Sequence, residues 1–416
     1  MIEIWDPARR SIDESKFLDL IKALNEPRQL LSEPKHLNVL GTISKNILSD
    51  EQFKNYPDIS ALGFWLRSSH LEKKWLNWYG HRPDNIYYQS RGSALHLPPL
   101  NVNTLFVYSW AVSLLCGNNN LVRLPNTISE STACLLKLIT KTLQEFGLKS
   151  KNIFCTYDYG TDFDTVLSKD FDLRLIWGGD EKVRSISTIP IAPGGMTIGF
   201  ADRKSIAIIS SDAYKKANDT TRNNLVRNLF RDIYSLDQMA CASPSLIIWV
   251  GQVDLNINND LYNRLQQHIQ DSKYFVETGV YINKFVHACE NLLMQSADDF
   301  RYYSNELIVL STIHPHVWIS NDQGGGVIYE CVVETYDEIV KYITSTTQTI
   351  CYYGFTTLQL LNLAEIIIPY GGSRLVPIGQ SLEFDFYWDG FDLLSNFTKN
   401  ILIIKNNFNP EDMINN

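Results

Sequence analysis

Clustered positive charge is missing from this 416-residue chain: 37 lysines and arginines are outnumbered by 46 aspartates and glutamates, and the formal net charge is −9. A protein that grips a phosphate backbone concentrates Lys and Arg, so nucleic acid is not an expected partner. Long hydrophobic runs are missing as well. The longest nearly unbroken apolar stretch, Thr104 to Cys116 (TLFVYSWAVSLLC), falls well short of the roughly 20 residues of a spanning helix and reads as a buried core helix. The opening MIEIWDPARRSIDES mixes acids with bases and has neither the basic start nor the apolar centre of an export signal, so the expected location is the cytoplasm. Paired cysteines are lacking too. Cys116, Cys134, Cys155, Cys241, Cys289, Cys331 and Cys351 are odd in number, scattered and free of any C-x-x-C spacing, which argues against a disulfide framework and against a zinc site. No internal repeat or low-complexity segment is visible.

What remains is an ordinary globular composition, 44% hydrophobic and 20% charged, long enough for two or three domains with a sizeable core. From Ser15 to about Lys74 the segments FLDLIKAL, HLNVLGTISKNIL and ISALGFWLRSSHLEKKW repeat apolar residues three and four apart, which predicts a helical region over 1–75. Short β runs follow at Leu121 to Leu124, Ile153 to Tyr157 and Leu173 to Trp177, with a helix from Ser131 to Phe146 that Gly147 stops. Strand, helix and strand at this spacing predict an α/β fold with largely parallel sheets. A long polar helix over Ala213 to Tyr234 leads into SLDQMACASPSLIIWVG, where Pro244 halts helix and Ser245 to Val250 reads as a buried strand. A second α/β domain is therefore expected from Asp237 to Phe386, after a first over 76–236. Its expected elements are helices Asp260 to Ile269 and Val280 to Gln295, strands Glu306 to Ser311, Thr349 to Tyr353 and Glu365 to Pro369, and a glycine turn at Gly324 to Gly326. The tail, 387–416, reads as a helix or two with a frayed end.

Few residues in this pattern invite chemistry. Gly117-Asn118-Asn119-Asn120 and Trp177-Gly178-Gly179-Asp180 are glycine-bearing turns at strand ends, where backbone N–H groups attract phosphate; neither matches G-x-G-x-x-G, and a plain loop is the alternative. Cys241 stands between a long helix and a buried strand, at the expected domain boundary, where clefts form. A free thiol is only a few per cent ionised at neutral pH, and a nearby cation or helix start would raise that fraction; the bland alternative is a buried space-filler. His314-Pro315-His316 has the wrong spacing for one helical face, so no metal is expected. His96, in SALHLPPLN, is as readily a packing residue as a catalytic one, and Asp298-Asp299 reads as a solvated helix face.

Four blocks taken together carry a resemblance. RGSALHLPPLNVNTLFVYSWAVSLLCGNNNLVRLP, IWGGDEKVRSI, DQMACASPSLIIWVG and RLVPIGQSLEFDFYWDGFDLL resemble, in this order, the LuxC-type acyl-CoA reductases of the aldehyde dehydrogenase superfamily. The resemblance spans about Ser90 to Leu394. It implies an aldehyde dehydrogenase-like fold of two α/β domains, in which 76–236 binds a nicotinamide cofactor and 237–386 is catalytic. Cys241 resembles the superfamily's nucleophile, and Asn101 in PPLNVNTL is similar to the asparagine that helps hold the oxyanion. Arg123 stands where relatives outside this subgroup carry a lysine near the adenosine ribose, and Gly178-Gly179 resembles the turn beneath the cofactor pyrophosphate. NADPH is the implied cofactor, with NADH the alternative.

One departure from the superfamily is informative. Members that hydrolyse their acyl-enzyme share a Leu-Glu-Leu-Gly-Gly-Lys-Ser stretch whose glutamate activates water; aligned on Lys204-Ser205, GFADRKSIAII puts Phe200 at that glutamate. A phenyl ring accepts no proton, so an acyl group on Cys241 would persist long enough to be reduced or returned to a thiol. The implied activity is reduction of a fatty acyl-CoA or acyl-carrier thioester to an aldehyde through an acyl-cysteine. Acyl-activating and acyl-transferring proteins are implied as partners, and a homo-oligomer as the assembly. Two other readings stay open: an acyl-docking scaffold without chemistry, and a cysteine acyltransferase or hydrolase that uses no nucleotide.

Overall fold

The computed structural model describes residues 2–25, 27–31, 33–99, 104–158, 163–313 and 324–404. The chain divides into two compact units, Met1–Ala201 with Phe391–Asn416, and Asp202–Gly390. The sequence pattern predicts a break at 236/237. That position lies inside the second unit because strand Lys204–Ser210, upstream of it, pairs in parallel with Pro244–Val250 and with Thr347–Tyr353. A chain cut between those strands would split one sheet.

In the first unit a seven-stranded sheet runs in the spatial order Ala8–Ile12, Ile2–Asp6, Asn152–Thr156, Asn119–Arg123, Ser93–Leu97, Leu173–Trp177, Met196–Phe200. The five strands from Asn152–Thr156 to Met196–Phe200 are mutually parallel, and the first two form an antiparallel hairpin on one edge. In chain order the winding starts at Ser93–Leu97, steps twice to one side, then crosses to Leu173–Trp177 on the other. Such a reversal opens a crevice at the carboxyl ends of the two strands that flank it, here Ser93–Leu97 and Leu173–Trp177. Helix Leu105–Leu115 carries apolar side chains on every face and is buried almost throughout, as the TLFVYSWAVSLLC run predicts. Burying each large side chain of that run contributes about 1.5–3 kcal/mol. The N-terminal helices form at Glu14–Lys22, Leu37–Ser49, Pro57–Trp65 and Ser68–Gly80, but the region expected to be helical over 1–75 opens with the hairpin strands Ile2–Asp6 and Ala8–Ile12, because Ile2–Asp6 pairs with Asn152–Thr156 at the sheet edge.

The second unit holds another seven-stranded sheet, in the order Asp299–Ser304, Leu307–Ser311, Val327–Val333, Pro244–Val250, Lys204–Ser210, Thr347–Tyr353, Arg374–Pro377. All neighbours are parallel except the first pair. Period-two alternation assigns its two faces cleanly: Ile206, Ile208, Leu246 and Ile248 enter one core, while Ala207, Ile209, Ile247 and Trp249 enter the other. Both faces are covered, as a parallel sheet requires.

Several local expectations change. Ala213 to Tyr234 is two helices, Ser211–Lys216 and Asp219–Tyr234, because Asn218 caps the second by accepting the Thr221 N–H at 2.9 Å. Glu365 to Pro369, expected as a strand, is mostly the end of helix Thr357–Ile367, which starts at a Thr356/Gln359 capping box. Asp299 opens an edge strand instead of lying on a helix. Among the described residues of the tail, the expected helix is the short Leu393–Asn396, and Thr398–Leu402 is a strand that pairs antiparallel with Ile86–Ser90.

Candidate functional site

At the crevice edge of the first sheet, strand Leu173–Trp177 ends in Gly178, whose φ of +148° suits glycine. Gly179 then caps helix Asp180–Ser187 with no side chain to occupy the first-turn N–H groups. The most informative side chain here is Lys182, which the sequence reading did not single out. Its Nζ donates to the Pro98 carbonyl and the Trp177 carbonyl, both at 2.9 Å, so it bridges the ends of the two strands that flank the crevice. Desolvation, with Arg123's charge adding to it, lowers the Lys182 pKa to about 8. Arg123 ends its own strand in the same sheet. Its guanidinium donates to the Tyr157 carbonyl at 2.9 Å and lies 4.6 Å over the Tyr157 ring. Gly178, Gly179, Arg123 and Lys182 thus gather at one edge of one sheet. The Gly117 turn does not join them, because it leads into strand Asn119–Arg123 and so sits at the opposite edge. Its amides are spent on the fold: Asn118 accepts from the Gly92 N–H at 3.0 Å, and Asn120 donates to Asn152 at 2.9 Å.

Phe200, at the end of edge strand Met196–Phe200, is 3% exposed. Its ring stacks on Trp177 at 3.7 Å and meets Phe391 edge-on at 5.7 Å. The position is an aromatic core site, with no titratable group at it.

Cys241 belongs to the second unit, where it lies just before strand Pro244–Val250, at the amino ends of the central parallel strands. It is the only exposed one of the seven cysteines; Cys134 and Cys289 are half-buried, the other four buried, and all are free thiols. Its carbonyl accepts the Ser205 hydroxyl at 2.7 Å, and the Thr349 N–H donates to the same Ser205 oxygen at 3.1 Å. The thiol pKa is nevertheless raised. Water reaches the residue, but the protein atoms around the sulfur displace enough of it to disfavour thiolate. The Arg203 backbone N–H and Lys204 pull the other way, while Asp389 and Asp202 add to the upward shift. Asp389, in the left-handed region at φ +50°, accepts a hydrogen bond from the Gln348 amide. The cation that would activate the thiol is thus present in Lys204, but it is outweighed.

Asn101 lies outside the described residues, as do His314 and His316. His96 is fully buried and hydrogen-bonds through both nitrogens, to Ser109 at 2.8 Å and Asn120 at 3.0 Å; desolvation lowers its pKa to about 4. It is a packing residue. Among the described residues no group of three or more His, Cys, Asp or Glu could hold a metal ion, and no helix is long and apolar enough to cross a membrane.

Two wound sheets of this topology make an aldehyde dehydrogenase-like fold, and solved structures agree. The chain is similar to an oxidoreductase from Marinobacter aquaeolei (TM-score 0.65, 11% identity, covering 94% of this chain and 91% of that one). It is also similar to methylmalonate-semialdehyde dehydrogenase from Oceanimonas doudoroffii (TM-score 0.65, 14% identity, 95% and 91% covered) and to an aldehyde dehydrogenase from Bartonella henselae (TM-score 0.60, 15% identity, 95% and 92% covered). None of the curated proteins matches. The sequence pattern of the acyl-CoA reductase (LuxC) family matches residues 69–276, half of the chain, and the chain belongs to that family. It is accordingly an oxidoreductase of acyl and aldehyde groups.

Proposed function

We propose that the protein reduces a fatty acyl thioester, carried by CoA or by an acyl carrier, to an aldehyde with NADPH, through an acyl group held on Cys241. The observation that carries this reading is the exposure of Cys241 alone among the cysteines, on a loop whose backbone carbonyl is held by the Ser205 hydroxyl, in a chain of the acyl-CoA reductase family. A solved relative in fold is described as an NAD-dependent aldehyde dehydrogenase, which supports a nicotinamide cofactor here.

The crevice edge of the first unit fits such a cofactor. Gly179 leaves the N–H groups of helix Asp180–Ser187 without a side-chain cap, and Lys182 supplies a cation beside them, a donor set suited to a pyrophosphate. Arg123 is the cation for the ribose end, where its planar fork suits a 2′-phosphate. When bound, the reduced nicotinamide supplies hydride. The remaining steps belong to the protein. Cys241 attacks the thioester carbonyl; the new carbon–sulfur bond replaces the old one at little thermodynamic cost, and the thiol proton leaves on the carrier thiol. Reduction of the acyl-cysteine carbonyl places negative charge on its oxygen, where the Cys241 backbone N–H and the Asn101 amide serve as donors. Removing such a donor costs about 100- to 1000-fold in rate. Collapse of the thiohemiacetal releases the aldehyde and returns the sulfur, which takes up one proton. Phe200, enclosed by Trp177 and Phe391, stands where the aligned stretch of hydrolysing relatives carries its water-activating glutamate, so this position supplies no base for hydrolysis of an acyl-cysteine.

Mixing the purified chain with a long-chain acyl-CoA and NADPH tests this directly. Loss of nicotinamide absorbance matched by aldehyde, and abolished in Cys241→Ala, is the expected result. Acyl release without oxidation points instead to transfer or hydrolysis, and neither signal points to an acyl-docking scaffold.

A further inference from the structure

The loop that carries Cys241 is entered through two consecutive non-glycine residues in the left-handed region, Asp237 at φ +51° and Gln238 at φ +60°. Such a pair is costly for side chains with a Cβ and persists only where its surroundings over-determine it. The surroundings do so here. Gln238 is buried, and its amide nitrogen donates to the Pro244 and Val327 carbonyls, both at 3.0 Å, while its amide oxygen accepts the Gly326 N–H at 2.9 Å. The Asp237 carbonyl accepts the Gly325 N–H at 2.8 Å, and its carboxylate accepts the Tyr274 hydroxyl at 2.7 Å. The other half of this interlock is the turn Gly324-Gly325-Gly326, left-handed at all three residues. A Cβ on Gly324 would meet the Met239 sulfur at 2.8 Å, and one on Gly326 would strike the Glu306 carbonyl. Behind the turn the fully buried Lys284 donates to the Gly325 carbonyl and to the Asn305 carbonyl. Gly324 is thus required by the close approach of the Cys241 loop, and Gly325 and Gly326 by their left-handed backbone and by Val280 and Glu306 packed against the turn.

We propose that Gln238 is a positioning residue for Cys241, and that the Gly324–Gly326 turn backed by Lys284 is the mount against which Gln238 holds the thiol in place. The amide fixes where strand Pro244–Val250 begins and where the loop leaves helix Asp219–Tyr234, so the intervening Cys241 is set relative to the Arg203 N–H that hydrogen-bonds its sulfur. The charges that also reach the sulfur are Asp202, Lys204 and Asp389. The catalytic consequence rests on the acyl-cysteine reading above; the effect on the thiol does not.

Gln238→Glu keeps the shape and turns two buried donors into an acceptor facing two carbonyls. In the full-length chain, iodoacetamide labelling of the Cys241 peptide is followed by mass spectrometry across pH, beside steady-state acyl-CoA reduction and thermal melting. The expected result is a Cys241 labelling profile displaced to higher pH and a kcat lowered by about 10- to 100-fold with KM within about twofold, since misplacement near 1 Å costs of that order. A Gln238→Glu chain that melts lower yet labels at Cys241 with the native pH profile overturns the proposal, because packing alone would then explain the interlock. Should Gln238→Glu fail to fold, Tyr274→Phe, which removes only the hydroxyl bond to Asp237, is expected to displace the profile in the same direction, and an unchanged profile overturns the proposal. A native chain that reduces no acyl-CoA sinks the acyl-cysteine reading and leaves the labelling comparison intact.

Discussion

Cys241 is an exposed residue, yet the protein atoms around its sulfur make the thiol hold its proton more tightly than a free thiol does. Resting enzyme should therefore alkylate slowly at neutral pH, with a rate still climbing past pH 9.0, the ordinary midpoint of a thiol. Replacing Asp389 by Asn removes a negative charge that opposes thiolate, and should speed labelling at pH 8 by about threefold; mass spectrometry of the Cys241 peptide measures both. His96 supplies a second test at this scale. Its pKa in the folded chain, about 4, lies below the ordinary 6.5, so its contribution to stability is complete above pH 6.5 and is lost as pH falls toward 4. The shift corresponds to about 3 kcal/mol. Asp232, raised to about 6 by burial, contributes stability at low pH that is lost as pH rises from 3.8 through 6, the opposite slope in an overlapping window. Comparing denaturant unfolding of native chain and His96→Gln at pH 7 and 5 isolates the histidine: the variant should lose less stability on acidification.

Elements decide what the residues can do. Phe200 ends a strand with its ring between Trp177 and Phe391, so Phe200→Glu would bury a carboxylate among aromatic rings rather than install a base. The expected outcome is destabilisation of about 3 kcal/mol, read as a lowered melting temperature, with no gain in acid release. Lys182→Met should weaken NADPH binding several-fold while leaving Cys241 labelling unchanged, as measured by fluorescence titration and mass spectrometry. Much at this scale was legible beforehand. The parallel strands and the core helix announced themselves by apolar runs between glycine and polar turns. What stayed hidden was long-range: Lys182 reads as one more surface lysine of an amphipathic helix until Pro98 is folded beside it, and the Gly324 turn has no meaning until Asp237 and Gln238 lie against it. The misread strand at Glu365 to Pro369 has a different cause, since the short β-branched run LAEIIIP suits helix and strand alike, and the capping box at Thr356 decides it.

At the scale of the molecule, two wound sheets divide the work that the sequence blocks imply. The first carries its candidate groups at the carboxyl ends of its strands, whereas the second carries Cys241 at the amino ends, so the usual rule for wound sheets locates only the former. The fold class and the family were legible in four separated blocks of sequence. The boundary between units was not, because sheet pairing between Lys204–Ser210 and strands on either side of it leaves no mark on local composition. The whole reading comes down to where an acyl group resides between arrival and reduction. Intact-mass and peptide mass spectrometry of the chain after exposure to a long-chain acyl-CoA, without reductant, measures that. One acyl adduct on the peptide containing Cys241, discharged as aldehyde when NADPH is added, is the expected result; an unmodified Cys241 under conditions of turnover would contradict it.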